Sequence, residues 1–230
     1  MKPSSWLPNP ADPKYAALGL NNNVVYDTSG YGHNADIINS PTCTADTPRY
    51  QTAIHMTATN QKLHVSNLVT SGFGNTYSIA WWGKSNAYSG TMHWGFSDGI
   101  RLNGIYNGNL WNTGDGSNNP LYKPGTTTQV TAPTVNVWHH FVMVGDGSTC
   151  KAYMDGELWG QAKTYKAISG TSIYFNGWDS STSYCQSDLN VSDFRIYATA
   201  LTADQVKQLY EAPISLANNG TLFANEFKET

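Results

Sequence analysis

Two stretches of the sequence place aromatic residues among amide and carboxylate residues, a combination suited to sugar recognition. A sugar ring packs its C–H groups on a flat aromatic face, while amides and carboxylates bond to its hydroxyls. The candidate binding residues are Trp94, Tyr106 and Trp111 in the first stretch, among asparagines, and Trp178, Asp179 and Tyr184 in the second. Trp94 and Trp111 fit equally well as core residues of short strands, and both interpretations stay open.

A catalytic pair of acids is not apparent in the sequence. Glycoside hydrolysis with retention needs two carboxyl groups about 5–5.5 Å apart on one face. The chain has four glutamates, and only Glu157 has an acidic residue two positions away, in Asp155-Gly156-Glu157. Asp-Gly between strand-like runs predicts a hairpin turn, so this pair is interpreted as turn geometry. We therefore expect a protein that is not an enzyme.

The histidines and cysteines do not form a metal-binding pattern. His139 and His140 adjoin at the start of a predicted strand, where neighbouring side chains point to opposite faces, so both are interpreted as structural. The three cysteines have no zinc spacing, and their odd number leaves at least one thiol unpaired. We predict that all three are reduced, as in a protein assembled in a reducing cytoplasm.

Charge and hydropathy exclude two classes of partner. The net charge is −3 and no basic run is present, which disfavours nucleic acid as a partner. No stretch approaches the length of an apolar membrane span, so we predict no membrane partner. The first residues have no apolar core of the kind found in a signal peptide.

Composition and turn spacing favour an all-β domain. The 14 tyrosines, 8 tryptophans and 7 phenylalanines suit pleated surfaces, and the 21 glycines supply turns. Residues 138–160 predict three strands joined at Asp146-Gly147 and Asp155-Gly156. The segment YSIAWWGK, residues 77–84, is apolar on both faces and predicts a central strand. One helix is expected after Thr202, which forms a capping box with Gln205.

The chain divides into three predicted parts. Residues 1–17 form a proline-rich arm, since prolines 3, 8, 10 and 13 lack amide donors and favour an extended arm that is not a strand interior. Trp6 and Leu7 are expected to anchor this arm on its own domain or on a neighbouring subunit. Residues 18–213 form the β-domain, and residues 214–230 form a hairpin or tail around Asn218-Asn219-Gly220.

The order of three segments resembles one family. VVYDTSGYGHNADI, WHHFVMVGDGSTCKAYMDGELWG and LNVSDFRIYATALTADQVKQLYEA together resemble the laminin-G-like, pentraxin-like branch of the concanavalin A-like lectin/glucanase superfamily. The resemblance implies a jelly-roll β-sandwich of two antiparallel sheets with one short C-terminal helix. Relatives that cleave glucans carry an E-x-D-x-E type strand, which this sequence lacks, so their activity does not carry over.

The same resemblance implies calcium as a cofactor. Relatives bind calcium through loop Asp and Asn oxygens and backbone carbonyls, which suits the 6–8 hard ligands of the ion. Asp27 and Asp193 occupy the positions that resemble theirs. The alternative interpretation is that Asp27 caps its own turn and Asp193 pairs with a nearby arginine.

Two functions follow from this reading. The first is a non-catalytic carbohydrate-recognising domain that binds a cell-surface glycan and is displayed on a phage tail or head. The second is a structural virion protein whose sandwich serves assembly with other virion subunits or as a homo-oligomer. In both cases we predict a virion surface assembled in the host cytoplasm, or otherwise an extracellular location.

Overall fold

The computed structural model describes residues 4–6, 24–25, 33–48, 53–66, 68, 75–88, 92–96, 101–106, 109–113, 120–162, 165, 167–177, 185 and 188–211. The elements in these ranges are β1 (Ser4–Trp6), β2 (Val24–Val25), β3 (Ala35–Ile38), β4 (Thr42–Thr44), β5 (Ala53–Met56), β6 (Lys62–Val65), β7 (Thr76–Ser85), β8 (Met92–Phe96), β9 (Arg101–Tyr106), β10 (Asn109–Thr113), β11 (Leu121–Tyr122), β12 (His139–Asp146), β13 (Cys150–Met154), β14 (Glu157–Ala162), β15 (Ile173–Phe175), β16 (Leu189–Tyr197) and the helix α1 (Ala203–Glu211).

The strands form two antiparallel sheets. Sheet A has nine strands in the order β11-β14-β13-β12-β7-β16-β5-β4, with β1 also paired to β16. Sheet B has seven strands in the order β10-β9-β8-β15-β6-β3-β2. Apolar residues of both sheets form one buried cluster, so the sheets pack face to face. This arrangement confirms the predicted β-sandwich with one short C-terminal helix.

The predicted hairpins form at both Asp-Gly pairs. β12, β13 and β14 follow one another in sheet A, and Met154 lies opposite Glu157 across a two-residue turn. Asp155 and Gly156 in that turn have φ values of 53° and 84°. Two consecutive positive φ angles define the turn type that matches strand twist, which explains the Asp-Gly sequence.

The strand β7 is apolar on both faces because each face is covered. It lies between β12 and β16. Tyr77, Ile79 and Trp81 belong to the core between the sheets. Ala80, on the opposite face, belongs to a second buried cluster under α1. This confirms the prediction of a central strand.

The helix α1 begins at the predicted capping box. The Thr202 amide donates to Gln205 Oε1 over 2.8 Å, and the Gln205 amide donates to Thr202 Oγ1 over 3.2 Å. Val206 and Leu209 are buried against sheet A. Tyr210 stacks on Trp82, with ring centroids 5.7 Å apart. The helix therefore closes the outer face of sheet A at this point.

The predicted arm contains a short strand, which corrects the expectation of an extended arm that is not a strand interior. Ser4–Trp6 pair antiparallel with Phe194–Ile196 of β16. The pairing places the strand on this domain, beside a stretch of β16 that β5 does not reach. The predicted tail at 214–230 lies outside the described residues. Among the residues that the structure describes, no helix is long and apolar enough to cross a membrane.

A bulge in β8 turns His93 into the core. Met92 lies opposite Asn103 and Trp94 opposite Leu102, so His93 is an extra residue in its strand. Its Nδ1 accepts a hydrogen bond of 3.1 Å from the Trp81 indole N–H of the facing sheet. Because the indole only donates, the neutral imidazole carries its proton on Nε2. Complete burial lowers the pKa of His93 from 6.5 to about 4.

We predict that His93 makes stability depend on pH. In the unfolded chain His93 takes up a proton near pH 6.5, whereas the folded protein resists protonation until about pH 4. Stability is therefore complete above pH 6.5 and falls by up to about 3 kcal/mol as the pH drops toward 4. His93→Asn keeps an acceptor for Trp81 and does not titrate. Urea unfolding at several pH values should show a shallower decline in the variant, and identical declines would contradict this assignment.

Candidate functional site

The outer face of sheet B carries polar and aromatic side chains. Along β6, Leu63 and Val65 point into the core, and Lys62 and His64 alternate with them onto the other face. In β15 the core residues Ile173 and Phe175 flank Tyr174, which is partly exposed. The same strands thus build the core on one side and a polar and aromatic surface on the other.

Strand register aligns these side chains in a row. His64 lies opposite Tyr174 on one side and opposite Asp36 on the other. On the far side of Tyr174 the partner is Gly95, which brings no side chain. We call these four residues the Tyr174 row. Tyr174 thus has the His64 imidazole on one side, with the Asp36 carboxylate beyond it, and on the other side Gly95, which has no side chain.

The two rings of the row are stacked. The His64 and Tyr174 ring centroids are 4.1 Å apart with an interplanar angle of 11°. Partial burial lowers the pKa of His64, and the Asp36 carboxylate opposes this shift. A lowered pKa keeps the imidazole neutral near pH 7, where it holds the Tyr174 ring in place. Asp36 is exposed and offers carboxylate oxygens to a ligand.

Lys62 is almost fully buried although it belongs to the outer face. Its exposed fraction is 2%, and its Nζ lies 5.9 Å from the centroid of the Tyr174 ring. Gly177, two residues after β15, lies close to its Nζ. A Cβ on Gly177 would lie 2.6 Å from Lys62 Nζ and 3.2 Å from Cys185 Sγ. Gly177 and Cys185 are the described residues on either side of the segment that contains Trp178, Asp179 and Tyr184.

Both ends of that predicted sugar-binding loop therefore meet next to the Tyr174 row. Trp178, Asp179 and Tyr184 themselves lie outside the described residues, as does Asp27. For Tyr106 in β9 and Trp111 in β10 the structure describes the backbone and not the side chains. The predicted roles of these residues stay predictions.

Trp94 is a core residue, which corrects its assignment to a sugar-binding surface. Its exposed fraction is 0%. Its ring makes edge-to-face contacts with Trp81 at 5.5 Å and with Phe96 at 5.9 Å. A ring enclosed in this way has no face for a sugar, so the core alternative holds for Trp94.

Asp193 forms an ion pair with Arg195, which is the alternative to its predicted calcium role. Its Oδ1 and Oδ2 accept hydrogen bonds from Arg195 Nε and Nη2 over 2.5 and 2.8 Å. Asp193 has a φ of 47° in a bulge of β16, and both side chains are 6% exposed. This paired, enclosed carboxylate does not fit a calcium ligand. In the described part of the chain no group of three His, Cys, Asp or Glu residues can hold a metal ion.

His139 and His140 have structural partners on opposite faces of β12. Asp155 Oδ2 lies 2.7 Å from His139 Nδ1, and Asp155 Oδ1 accepts the His140 amide over 2.9 Å. His140 packs beside Trp82, with ring centroids 5.1 Å apart. The Asp155 carboxylate therefore joins the β13–β14 turn to β12, and both of its oxygens take part in these contacts.

A second partly exposed aromatic residue, Trp138, is already engaged. Its indole N–H donates to Asp46 Oδ1 over 2.9 Å, and Lys84 Nζ lies 5.7 Å from its ring centroid. Lys84 also pairs with Asp46, and the hydrogen bonds from Lys84 and Trp138 lower the pKa of that carboxyl. These contacts hold the chain around Asp46 across sheet A.

Asp36, His64 and Tyr174 are not among the site residues that the sequence predicts. A local signal was present, because the segments ADII, KLHV and IYF each alternate apolar residues with one or two residues of different character. That pattern shows which residues face outward, but the pairing of three distant strands is needed to place them side by side.

We predict that Gly177 is required where the loop leaves β15. Its φ of 142° is unfavourable for other residues, and a methyl group would press on Lys62 and Cys185. Gly125, with a φ of 69° and nothing within 4 Å of its Cβ position, is a matched control. Gly177→Ala should lower the free energy of unfolding by about 2 kcal/mol more than Gly125→Ala. Equal losses in urea unfolding would show that the packing around Lys62 is loose.

Comparison with known proteins supports the fold. A laminin-G family model, described as the concanavalin A-like lectin/glucanases superfamily, matches residues 57–207. No curated protein matches the sequence. The receptor-binding domain of botulinum neurotoxin C/D mosaic serotype is similar at 19% identity and a TM-score of 0.56, over 81% of this chain and 48% of that chain. The chain thus spans about half the length of the botulinum domains that it matches.

Two further structures are similar at comparable levels. Domain 4 of AbnA, an extracellular arabinanase of family GH43 from Geobacillus stearothermophilus in complex with arabinotriose, has 18% identity and a TM-score of 0.58, over 80% of this chain and 92% of that chain. The binding domain of botulinum neurotoxin DC in complex with SialylT has 15% identity and a TM-score of 0.56, over 81% and 48%. The family model covers about two thirds of the sequence, and the chain belongs to the concanavalin A-like lectin/glucanase superfamily.

Proposed function

We propose that the chain is a non-catalytic carbohydrate-binding domain whose binding surface is the Tyr174 row. The observation that carries this proposal is the stack of Tyr174 on His64 beside the exposed Asp36. The tyrosine supplies an aromatic surface for sugar C–H groups, and the carboxylate accepts hydrogen bonds from hydroxyls. Similar domains that were solved with arabinotriose and with SialylT support a carbohydrate as the ligand class.

The row binds a sugar without cleaving it. Retaining and inverting hydrolysis both require two carboxyl groups at defined separations across the scissile bond. Among the described residues, the row contributes one carboxylate, from Asp36, and Asp155 of the Asp155-Glu157 pair is bonded to His139 and His140 on sheet A. We therefore expect this surface to bind a sugar and to leave its glycosidic bonds intact.

Display on a virion stays a prediction from the sequence. A sugar-binding sandwich on a phage tail or head would contact the host surface, and the same domain could assemble with other subunits through its arm. A purely structural virion role without glycan binding is the second candidate function.

We predict that Tyr174→Ala weakens glycan binding. The intact chain should bind members of a glycan array that includes arabinotriose, and calorimetry on the best ligand should give its affinity. Loss of the Tyr174 ring removes the aromatic contact and should weaken binding about tenfold, which corresponds to about 1.4 kcal/mol. Tyr122→Ala, in β11 of sheet A, is the matched control and should bind as the unmodified chain does.

Binding should be measured with calcium and with a chelator, because a calcium requirement stays a prediction. The proposal fails if no glycan binds at millimolar concentration under either condition. The location on sheet B fails separately if Tyr174→Ala and Tyr122→Ala bind equally well.

A further inference from the structure

His64 lies between the two groups that the Tyr174 row offers to a sugar. Its strand, β6, is paired with β15 on one side and with β3 on the other. On the β15 side His64 lies opposite Tyr174, and the two rings stack with centroids 4.1 Å apart. On the β3 side it lies opposite Asp36, which is exposed. The charge of His64 therefore acts on both the aromatic ring and the carboxylate.

The neutral form of His64 leaves the Asp36 carboxylate to a ligand. Burial disfavours the charged imidazole and lowers the pKa of His64, while Asp36 opposes this shift. Near pH 7 the ring is therefore uncharged. Among the ion pairs of the described residues, none joins His64 to Asp36. The oxygens of Asp36 are then able to accept hydrogen bonds from sugar hydroxyls.

A proton on His64 gives Asp36 a competing partner. Directly opposite residues of antiparallel strands have Cβ atoms about 4.5–5.5 Å apart, which lets an imidazolium and a carboxylate meet. Both ring nitrogens of the protonated imidazole are donors, and a hydrogen bond between two charged groups is stronger than one to a neutral hydroxyl. The protonated ring therefore takes carboxylate oxygens that a sugar would otherwise use.

The charged groups around His64 confine its protonation to acid conditions. The titratable residues that the register places around it are Asp36 on β3, Tyr174 on β15 and, on its own strand, Lys62. Lys62 is 2% exposed, and its Nζ lies 5.9 Å from the Tyr174 ring centroid. Its buried ammonium disfavours a second cation in the row, whereas Asp36 attracts one. The proton thus reaches His64 in acid, and Asp36 is the group that it engages.

We propose that His64 regulates glycan binding by pH, because in acid its protonated imidazole pairs with Asp36 and displaces the sugar hydroxyls from that carboxylate. This inference rests on the proposed carbohydrate function of the Tyr174 row. Linkage makes the effect reciprocal, since a sugar that binds the neutral form better must oppose proton uptake. A tenfold loss of affinity on protonation therefore corresponds to a His64 pKa about one unit lower in the saturated complex than in the free chain.

Calorimetry with the best neutral glycan from an array tests the regulation, because a neutral glycan does not itself titrate. Between about pH 7.5 and about pH 5 the intact chain should lose affinity about tenfold as histidine gains its proton. His64→Phe keeps a flat ring beside Tyr174 and cannot titrate, so its affinity should stay constant. The matched control is His55→Phe, at a partly exposed histidine of sheet A, and it should keep the decline. Near-ultraviolet circular dichroism at each pH verifies folding.

A second measurement uses the intact chain alone and holds even where His64→Phe does not fold. The ring protons of His64 are titrated by NMR in the free chain and in the glycan-saturated chain, and the pKa in the complex should be about one unit lower. An equal or higher pKa in the complex overturns the inference, as does a His64→Phe variant that declines like the intact chain. Constant affinity at all pH values overturns the regulation and leaves the proposed function standing. Absence of binding at every pH refutes the proposed function itself.

Discussion

The indole of Trp81 joins the two sheets, and the rest of the sandwich is arranged around it. Its N–H donates to His93 Nδ1 on sheet B over 3.1 Å. Its ring stacks on Phe141 at 5.2 Å and meets Trp94 edge-on at 5.5 Å. A buried indole N–H without an acceptor would be costly, so the hydrogen bond fixes one position of sheet B against sheet A. The bulge in β8 turns His93 into the core, where its Nδ1 supplies that acceptor.

The packing of the two sheets decides which face of sheet B meets the solvent. Because side chains alternate along a strand, the core positions of β3, β6 and β15 dictate that Asp36, His64 and Tyr174 point outward. The proposed binding surface is therefore carried by paired strands, which hold side chains more precisely than loops do. Lys62, packed between the Tyr174 ring and Gly177, connects the row to the loop that follows β15.

The parts of the fold that rest on local chemistry could be predicted from the sequence. The Asp155-Gly156 turn, the two-sided apolar strand β7 and the capping box of Thr202 and Gln205 each depend on neighbouring residues. Trp94 could not be assigned locally, since its burial depends on Trp81 of the other sheet. The Asp193–Arg195 pair depends on a bulge in β16, and no single residue in the sequence indicates that bulge.

The candidate site also could not be located from neighbouring residues in the sequence. Asp36, His64 and Tyr174 come from strands that are distant in sequence, and a shift of one residue in either pairing would send one of them into the core. Asp155 and Glu157 have the spacing that most resembles a catalytic acid pair, but Asp155 lies in the turn between β13 and β14 and Glu157 begins β14. Family resemblance indicated the sandwich and a carbohydrate as ligand. The position of the proposed binding surface follows instead from the register of the paired strands.

The central claim is that the outer face of sheet B binds a carbohydrate. The most direct test is a titration of the nitrogen-15-labelled chain with the best glycan from an array, followed through backbone amide chemical shifts. The account predicts that the shifted amides cluster at Asp36, His64, Tyr174 and the residues next to them in β3, β6 and β15. Shifts that cluster on sheet A around Trp138, with the Tyr174 row unchanged, would contradict it.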